Sequence, residues 1–536
     1  MGHNAPLLAA SDQTSPRQSL AQPTAPTAWD MAAYPPVLPL GILLLGFLLR
    51  IDLAHAAYLN ADEALIYFIS AQSSLAATYR AGLISAHPPL FYFLLHYWRL
   101  LGTSELALRL PSVLAGTAFC WLGFKWLGRI AGPAAALAGL IFFCFTPALV
   151  SLSAEVRQYS LLLLFLAACL YFLERGLQEN SARDMALFSL SLWLTVLTQY
   201  SAWLFCLTVG IYALWRFRRR PARRVLIVWA GGQAVAVGVY GALWRAQFPW
   251  LWKMAAVDRV FQGNHDRLGS LPRESFRLFH FLFSQPVVGG IVLLLFLVGI
   301  VSLFRRPGLE ESGKPSGRQL GWLLLMPFLF SWAAAVARLY PFGGTRHSVA
   351  LAVFVIAGAS VGLTAYGRPG AWTKPLLLAA MLAASYVFAK PLGSYIHPRN
   401  QSRQWMAQAV NYARRSALPG SLFLVDDQSG YLFRYYFCRG QSMPFTEAHW
   451  LFRYDNCSGY RLTRSSQWMF TPEHLATDVR RAAGAYHVHP GNVVWLFQAG
   501  WNVDREPALV EKLRAYGCPQ PRRFGENILV CALNIE

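Results

Sequence analysis

The stretch Leu59-Asn60-Ala61-Asp62-Glu63-Ala64-Leu65 decides the fold, because it stands where the chain leaves its first long apolar segment. Acidic side chains at the edge of a membrane are costly to desolvate and mark functional sites. Asn60 and Glu63 have the spacing of a capping box, in which each side chain bonds the backbone amide of the other residue. Adjacent helical residues point in different directions, so Asp62 and Glu63 cannot serve one face together. We predict that Asp62 is the functional carboxylate and that Glu63 supports it.

The composition is that of a membrane protein. Apolar residues make up 55% of the 536 residues and charged residues 14%, which is well below the roughly one quarter usual in soluble domains. The net charge of +21 would suit nucleic-acid binding in a soluble protein. Here the arginines cluster between apolar segments, as the positive-inside rule requires of cytoplasmic loops. We therefore predict a polytopic α-helical membrane protein and exclude nucleic acid as a partner.

Apolar segments with the length of a membrane-spanning helix, about 17 to 25 residues, recur along most of the chain. They predict about eleven transmembrane helices, near residues 37–54, 105–128, 132–151, 158–175, 183–198, 201–217, 225–244, 286–304, 321–338, 347–365 and 374–390. The chain thus divides into three parts. These are a disordered cytoplasmic tail without a signal peptide at residues 1–36, a membrane domain at residues 37–390 and a small soluble α/β domain at residues 391–536.

Lysine and arginine residues set the predicted orientation. The loops richest in them, such as Arg216 to Arg224, are assigned to the cytoplasm. An odd number of spans then places the N-terminus inside the cell. The C-terminal domain falls on the periplasmic or extracytoplasmic side of a multi-pass protein of the inner (plasma) membrane.

The cysteines divide evenly between apolar segments and the C-terminal domain. The spacing in the domain suggests the pairs Cys438–Cys457 and Cys518–Cys531, although four cysteines allow three connectivities. Disulfides there indicate an oxidising compartment. This agrees with the orientation that the charges predict.

The first outer loop is too apolar to lie free in water. Residues 64–79 have apolar side chains at helical spacing and predict an amphipathic helix along the membrane interface. Proline suits the first turn of a helix, so His87-Pro88-Pro89 predicts a second helix at residues 90–101. By itself His87 is typical of a helix start, and it becomes a candidate ligand only beside the acidic pair.

A second outer segment, residues 153–159, carries Glu155, Arg157 and Tyr159. The positive-inside rule does not favour an arginine on this side of the membrane. Arg157 therefore either forms an ion pair or extends to lipid headgroups, or it holds a phosphate with its planar fork.

A third outer segment, residues 340–347, is a tight turn that carries Tyr340, Arg346 and His347. Such residues commonly anchor a chain at the membrane interface. The alternative is a second cationic contact to an anionic leaving group.

In their order and predicted sidedness, these motifs resemble those of GT-C membrane glycosyltransferases. The resemblance is to glycosyltransferase family 39, the type of protein O-mannosyltransferases and lipid A aminoarabinose transferases. The matching motifs are Asp62-Glu63, His87-Pro88-Pro89-Leu90, Gly102-x-Ser104-Glu105, Arg109-x-Pro111-Ser112, Glu155-x-Arg157-x-Tyr159-Ser160-Leu161 and Gly344-Thr345-Arg346-His347. In the aminoarabinose transferases a lysine precedes the two prolines. His87 stands there instead, which argues against that sugar.

The resemblance implies a GT-C fold and transfer of a sugar from a polyprenyl phosphate on the outer face of the membrane. By analogy, Asp62 would be the catalytic base and the pair Asp62-Glu63 the hallmark of the site. We expect a single inverting displacement. The residues expected to bind the donor phosphate are His87, Arg157, Arg346 and His347, with Glu155, Tyr159 and Tyr340 in support.

The partners then expected are a polyprenyl-phosphate-linked sugar, membrane lipids, and a lipid, glycan or protein acceptor. GT-C relatives differ in whether they need a divalent cation, and no set of metal ligands in the sequence decides the matter. The main alternative is a transporter or flippase of lipid-linked sugars. Transporters place charges at mid-membrane on broken helices of two similar halves, whereas these charges lie at the outer rim. A scaffold protein, the third possibility, leaves the acidic loop unexplained.

Overall fold

The structure of the chain is a computed structural model. It describes residues 35–85, 87–219, 221–253, 268–305, 313–365, 378, 381–382, 385, 401–438, 443–446, 451–452, 456–465, 467–489, 492–500, 507–518 and 520–535. The membrane domain is built from helices. They are α1 (Val37–Ala56), α2 (Ala61–Ser70), α3 (Leu75–Gly82), α4 (Leu90–Trp98), α5 (Glu105–Ala131), α6 (Pro133–Phe145), α7 (Pro147–Ser153), α8 (Tyr159–Gln178), α9 (Ala182–Val196), α10 (Ala202–Arg216), α11 (Arg223–Lys253), α12 (Leu271–Phe283), α13 (Pro286–Arg305), α14 (Gly317–Val336) and α15 (Ala352–Ala365).

Seven stretches of helix in the described residues are long and apolar enough to cross a membrane. They are α1, α5, α8, Arg223–Pro249 of α11, α13, α14, and Arg346–Ala365, in which a 3-10 turn continues into α15. The number rises to eight if α6 and α7, which meet at 55°, form one bent span. The described chain therefore supports seven or eight spans rather than the eleven predicted.

Two predicted spans are helices that are too short. α9 and α10 have 15 residues each, which corresponds to about 22 Å against about 30 Å for the hydrocarbon core. The turn at Thr198-Gln199-Tyr200 separates them, so the apolar run that predicted two spans is interrupted. Most of the predicted span 374–390 lies outside the described residues, and so does the predicted tail up to residue 34.

A buried arginine stabilises the bend between α6 and α7. Pro147 has no amide hydrogen, so the carbonyl of Phe143 has no partner within the helix. Arg50 of α1 is fully buried and donates to the carbonyls of Phe143 and Cys144 at 2.9 and 2.8 Å. The bend redirects the chain into the short segment before α8 that carries Arg157.

The first outer region is folded back against protein rather than laid along the interface as one helix. Ser74 accepts the amide of Ala77 at 3.2 Å and so begins α3 as a separate helix after α2. The single helix predicted at residues 64–79 is therefore wrong. The helix start predicted at His87-Pro88-Pro89 is confirmed, because α4 begins at Leu90 and a 3-10 turn continues it to Leu101.

The C-terminal domain is an α/β sheet, as predicted. Its helices are α16 (Arg403–Ser416), α17 (Asp427–Phe437), α18 (Pro472–Ala485) and α19 (Pro507–Ala515). Its strands are β1 (Leu422–Val425), β2 (Phe445–Thr446), β3 (Leu451–Phe452), β4 (Asn456–Cys457), β5 (Tyr460–Arg464), β6 (Val493–Ala499), β7 (Arg522–Phe524) and β8 (Ile528–Asn534).

The main sheet has the order β4-β5-β1-β6-β8-β7. β1 runs parallel to β5 and β6, and the remaining neighbours are antiparallel. Both predicted disulfides, Cys438–Cys457 and Cys518–Cys531, are present.

One hydrophobic core joins the two domains. The inner face of the sheet, with Phe423 and Phe497, packs in the same cluster as Phe68 of α2 and Phe91 of α4. Each buried phenylalanine stabilises such a core by roughly 1.5–3 kcal/mol. The C-terminal domain is therefore docked on the outer helices of the membrane domain, and α2 is buried beneath it.

Candidate active site

Asp62 lies in the first turn of α2, and its carboxylate lies between two arginines. Its Oδ2 is 2.7 Å from the guanidinium of Arg346 and 3.7 Å from that of Arg157. The side chains of Asp62, Arg157 and Arg346 are 16%, 7% and 25% exposed, so the group is shielded from bulk solvent but reachable. The structure thus brings together the predicted acid and both predicted arginines.

The pKa of Asp62 lies below the usual range of an aspartate. Burial raises this pKa, but the positive charges of Arg346 and Arg157 lower it by more. The carboxylate is therefore ionised at neutral pH and held by both guanidiniums. In this state it is a weak base, because a proton added to it would disrupt two ion pairs.

The neighbouring carboxylate, Glu63, is engaged in a buried ion pair with Arg109. Its oxygens accept from Nε and Nη2 of Arg109 at 2.8 and 2.7 Å. They also accept the backbone amides of Asn60 and Val156, both at 2.8 Å. The capping box predicted from Asn60 is thereby confirmed. With four donors, the Glu63 carboxylate is saturated, and it joins α2, α5 and the segment that carries Arg157.

Arg109 of α5 also binds the backbone at the C-terminal end of α1. Its guanidinium also donates to the carbonyls of Ala54, Ala57 and Tyr58 at 2.9, 2.6 and 2.9 Å. These are carbonyls at the end of a helix, where partners within the helix are missing. No role for Arg109 followed from the sequence, because its partner Glu63 is 46 residues away on another helix.

Arg157 is held in place by α5 and α8. Ser112 of α5 donates its hydroxyl to the Arg157 carbonyl at 3.0 Å. The guanidinium carbon lies 5.5 Å from the ring centroid of Tyr159, and Nη2 lies 3.5 Å from the Tyr159 hydroxyl. Tyr159 thus orients the Arg157 guanidinium by a cation–π contact. Such a contact is compatible with the supporting role that we expect of Tyr159.

Glu155 is buried beside the same group without a hydrogen-bond partner. Its side chain is almost fully buried, and neither carboxyl oxygen has a partner among the described residues. Burial, and next the negative charge of Glu63, raise the pKa of Glu155 to about 8. At neutral pH Glu155 is therefore a protonated carboxylic acid that can donate a hydrogen bond.

This raised pKa predicts how stability changes with pH. Between the usual pKa of 4.5 and about 8, the folded chain keeps a proton that the unfolded chain loses, so stability falls as the pH rises. We expect Glu155→Gln to remove this fall, which amounts to a few kcal/mol at roughly 1.4 kcal/mol per pKa unit. Unfolding midpoints of both proteins in detergent at pH 5 and pH 8 measure it. Glu179→Gln, at a half-exposed carboxylate, is the control. Equal pH trends in wild type and Glu155→Gln would show that Glu155 titrates normally.

The turn that leads into the span Arg346–Ala365 ends at Arg346 and His347. Gly343 has a φ of 126°, which only glycine adopts readily, so the turn can fold tightly at this position. Tyr340 accepts a hydrogen bond from the amide of Gln199 at 3.2 Å. The rings of Tyr340 and His347 meet edge to face with centroids 6.2 Å apart. Tyr340 therefore supports His347 as well as the turn.

His87 faces the same charges. Its pKa lies well below the usual range, first because of burial and then because of the positive charge of Arg157, so the imidazole is neutral. Its Nδ1 is buried without a hydrogen-bond partner among the described residues. Gln247 of α11 donates to the His87 carbonyl at 3.2 Å, and Tyr200 donates to Gln247. Gln247 was not predicted, because nothing in the local sequence relates α11 to the His-Pro-Pro motif.

An apolar cleft begins beside the site. It has an empty volume of about 480 Å³, including space open to the surroundings, and lies between α8, α10, α14 and α15. Ser201, Tyr340 and His347 form its polar end, and leucine and phenylalanine residues dominate the rest of its lining. In the described parts of the chain, no three His, Cys, Asp or Glu side chains form a group that could hold a metal ion.

Residues 86–244 match the family model described as dolichyl-phosphate-mannose-protein mannosyltransferase. The match covers 159 of the 536 residues, so this segment is similar to that family of membrane glycosyltransferases. The segment begins next to His87 and contains Arg109, Glu155 and Arg157. No curated protein sequence matches the chain.

Solved structures share the architecture of the chain. ArnT from Cupriavidus metallidurans bound to undecaprenyl phosphate has a TM-score of 0.52 and 14% identity, over 92% of this chain and 97% of that chain. Its apo state has a TM-score of 0.50 with the same identity and coverage. AglB, the oligosaccharyltransferase of Archaeoglobus fulgidus, has a TM-score of 0.46 and 9% identity over 85% and 69% of the two chains. At these identities the likeness to ArnT shows the fold, which is of the predicted GT-C type.

Proposed function

We propose that the protein is a transferase. It moves a sugar from a polyprenyl-phosphate donor to an acceptor at the outer membrane face, with Asp62 as the base. One observation carries the proposal. A shielded carboxylate lies between the arginines Arg346 and Arg157, and the next residue along the chain, His347, lines an apolar cleft. The carboxylate suits proton removal, the arginines suit a phosphate, and the cleft suits a prenyl chain.

The chemistry needs one base and a cationic pocket. Asp62 takes the proton from an acceptor hydroxyl or amine, and the freed electron pair attacks the anomeric carbon. The bond from that carbon to the phosphate oxygen breaks, and the phosphate leaves with the bonding electrons. Arg157 and Arg346 stabilise the charge that develops on it. A single displacement of this kind inverts the anomeric carbon, and a second carboxylate flanking the bond is not required.

Donor binding would also switch Asp62 from an ion-pair partner to a base. In the structure, its carboxylate pairs with the two guanidiniums that a phosphate would bind. A lipid phosphate that takes over Arg157 and Arg346 removes the charges that lower the pKa of Asp62. The base therefore gains proton affinity only when a donor is present.

The other predicted residues fit roles around the phosphate. His87 is neutral, and its Nδ1 has no hydrogen-bond partner among the described residues, so it suits a hydrogen bond to a phosphate or sugar oxygen rather than a second ion pair. His347 lines the mouth of the cleft beside Tyr340. Glu155, protonated near neutral pH, offers a hydrogen-bond donor.

Glu63 was predicted to support Asp62, and its saturated carboxylate favours such a positioning role over a part in proton transfer.

The cleft is suited to the first isoprene units of the lipid. Leu162, Leu166, Phe205 and Phe354 line it beyond the polar end at His347. ArnT, whose fold this chain shares, was solved with undecaprenyl phosphate, which supports a lipid phosphate as the donor. The acceptor is a lipid, a glycan or a protein.

The proposed location is the inner (plasma) membrane, with the N-terminus in the cytoplasm and the active site outside. The two disulfides of the C-terminal domain support this orientation, because they form in oxidising compartments. Asp62 and the C-terminal domain would lie on the same side of the membrane, because α2 packs against α17. A protease-protection assay on spheroplasts reads the orientation directly.

A reconstitution assay separates transfer from transport. The full chain is placed in liposomes with a polyprenyl phosphate that carries a radiolabelled sugar, and an envelope extract is supplied as the acceptor. We expect label in the acceptor fraction together with an equal amount of free polyprenyl phosphate. Movement of intact donor across the bilayer, without release of the lipid phosphate, would establish a flippase and contradict the proposal.

A further inference from the structure

The connector between α1 and α2, residues 57–60, is held from two sides. Its carbonyls bind the buried guanidinium of α5 that pairs with the capping glutamate. Its amides bind the C-terminal domain. The Tyr58 amide donates to the Gln401 carbonyl at 2.9 Å, and the Leu59 amide donates to the Tyr436 hydroxyl at 2.8 Å. Because the connector runs directly into the capping box of α2, these bonds set the direction of that helix.

Tyr436 is carried by a rigid helix, α17. Two residues further on, Cys438 ends the helix and forms the disulfide with Cys457 of β4. Five residues before Tyr436, the ring of Tyr431 lies 6.5 Å from that of Phe68 in α2. The helix is therefore tied to the sheet at one end and packed on α2 along its length.

We propose that Tyr436 is a positioning residue for sugar transfer, because its hydroxyl holds the Leu59 amide and thereby the turn that presents Asp62. This inference rests on the proposed function, in which Asp62 is the base. A buried amide that loses its acceptor is strongly unfavourable, so the connector would shift to find another. A displacement of about 1 Å at a catalytic group costs about 10²-fold in rate.

The proposal makes the C-terminal domain a part of the catalytic apparatus. The family match ends at residue 244, so nothing in the matched segment assigns a role to this domain. The domain provides acceptors for two consecutive amides, those of Tyr58 and Leu59, immediately before the capping box. A domain that only recruited a partner would not need to make these bonds.

The test compares neighbouring tyrosines of α17. Tyr436→Phe removes the acceptor of the Leu59 amide and keeps the ring. Tyr435→Phe is the matched control, because the Tyr435 hydroxyl donates to the carbonyl of Thr103 instead. We expect Tyr436→Phe to lower kcat about 10- to 100-fold, with little change in donor binding and with faster hydrogen exchange at Leu59. Tyr435→Phe should keep wild-type kcat and wild-type exchange at Leu59.

A second variant covers the case in which Tyr436→Phe does not fold. Fluorotyrosine at position 436 keeps the shape of the ring and weakens the hydroxyl as an acceptor. Burial raises the pKa of Tyr436, so the phenol stays neutral, and kcat should fall by less than in Tyr436→Phe. Unchanged kcat in a folded Tyr436→Phe protein, or in the fluorotyrosine protein if that one alone folds, would overturn the inference. The proposed function is tested separately, because it requires only that the wild-type protein transfers sugar.

Discussion

Asp62→Asn is expected to lower kcat by about 10²- to 10⁴-fold, the range that general-base catalysis supplies. Asparagine keeps the size of the side chain, but it cannot take the proton of the acceptor. Donor binding should hold or strengthen, because the variant no longer competes with the lipid phosphate for Arg346 and Arg157. Initial rates of transfer and equilibrium binding of polyprenyl phosphate, measured on one preparation, check both parts.

The matched control for this variant is Asp52→Asn. Asp52 is exposed near the end of α1, ten residues before Asp62, and the same change there should leave both rate and binding unaltered. Transfer at the wild-type rate by a folded Asp62→Asn protein would remove Asp62 from the chemistry. Loss of donor binding with unchanged kcat would instead make Asp62 a binding residue.

The parts of the site that lie within one or two helical turns could be predicted from the sequence. Asn60 and Glu63 form their capping box through bonds between residues three apart. The prolines after His87 determine where α4 begins. The disulfide pairs also followed from short spacings, because the partners are 19 and 13 positions apart. Local chemistry decides these features, so the local sequence contains them.

The long-range contacts could not be predicted, because tertiary packing selects them. Glu63 meets Arg109, and Leu59 meets Tyr436 across 377 residues. Apolar periodicity alone suggested an interfacial helix at residues 64–79, but the same apolar face is used by α17. The number of spans was overestimated for a related reason. An apolar run does not show whether a helix crosses the membrane or stops after 15 residues, as α9 and α10 do.

Glu63→Gln is expected to destabilise the fold by about 3–5 kcal/mol, the cost of removing one partner from a buried ion pair. The amide has one acceptor oxygen in place of two, and its own N–H group would face the Arg109 guanidinium. At least two of the four donors around Glu63 therefore lose their acceptor. Unfolding midpoints in detergent measure the loss, and transfer rates should fall with it.

The control is Glu179, whose side chain is 42% exposed. Its carboxylate lies 2.9 Å from Arg129 and 3.4 Å from Arg175. Glu179→Gln should therefore cost less than about 1 kcal/mol. A similar cost at both positions would mean that the Glu63 pair contributes no more than a surface ion pair.

A double variant, Glu63→Leu with Arg109→Met, separates folding from positioning. Replacing both partners of a buried ion pair with apolar side chains of similar size leaves no lone buried charge. Here it also leaves the carbonyls of Ala54, Ala57 and Tyr58 without their donor, so we expect the double variant to be less stable than the wild type. Transfer should stay low, because the amides of Asn60 and Val156 still lack their acceptor, and these amides align Asp62 with the segment of Arg157. Wild-type transfer by the double variant would show that the ion pair serves folding alone.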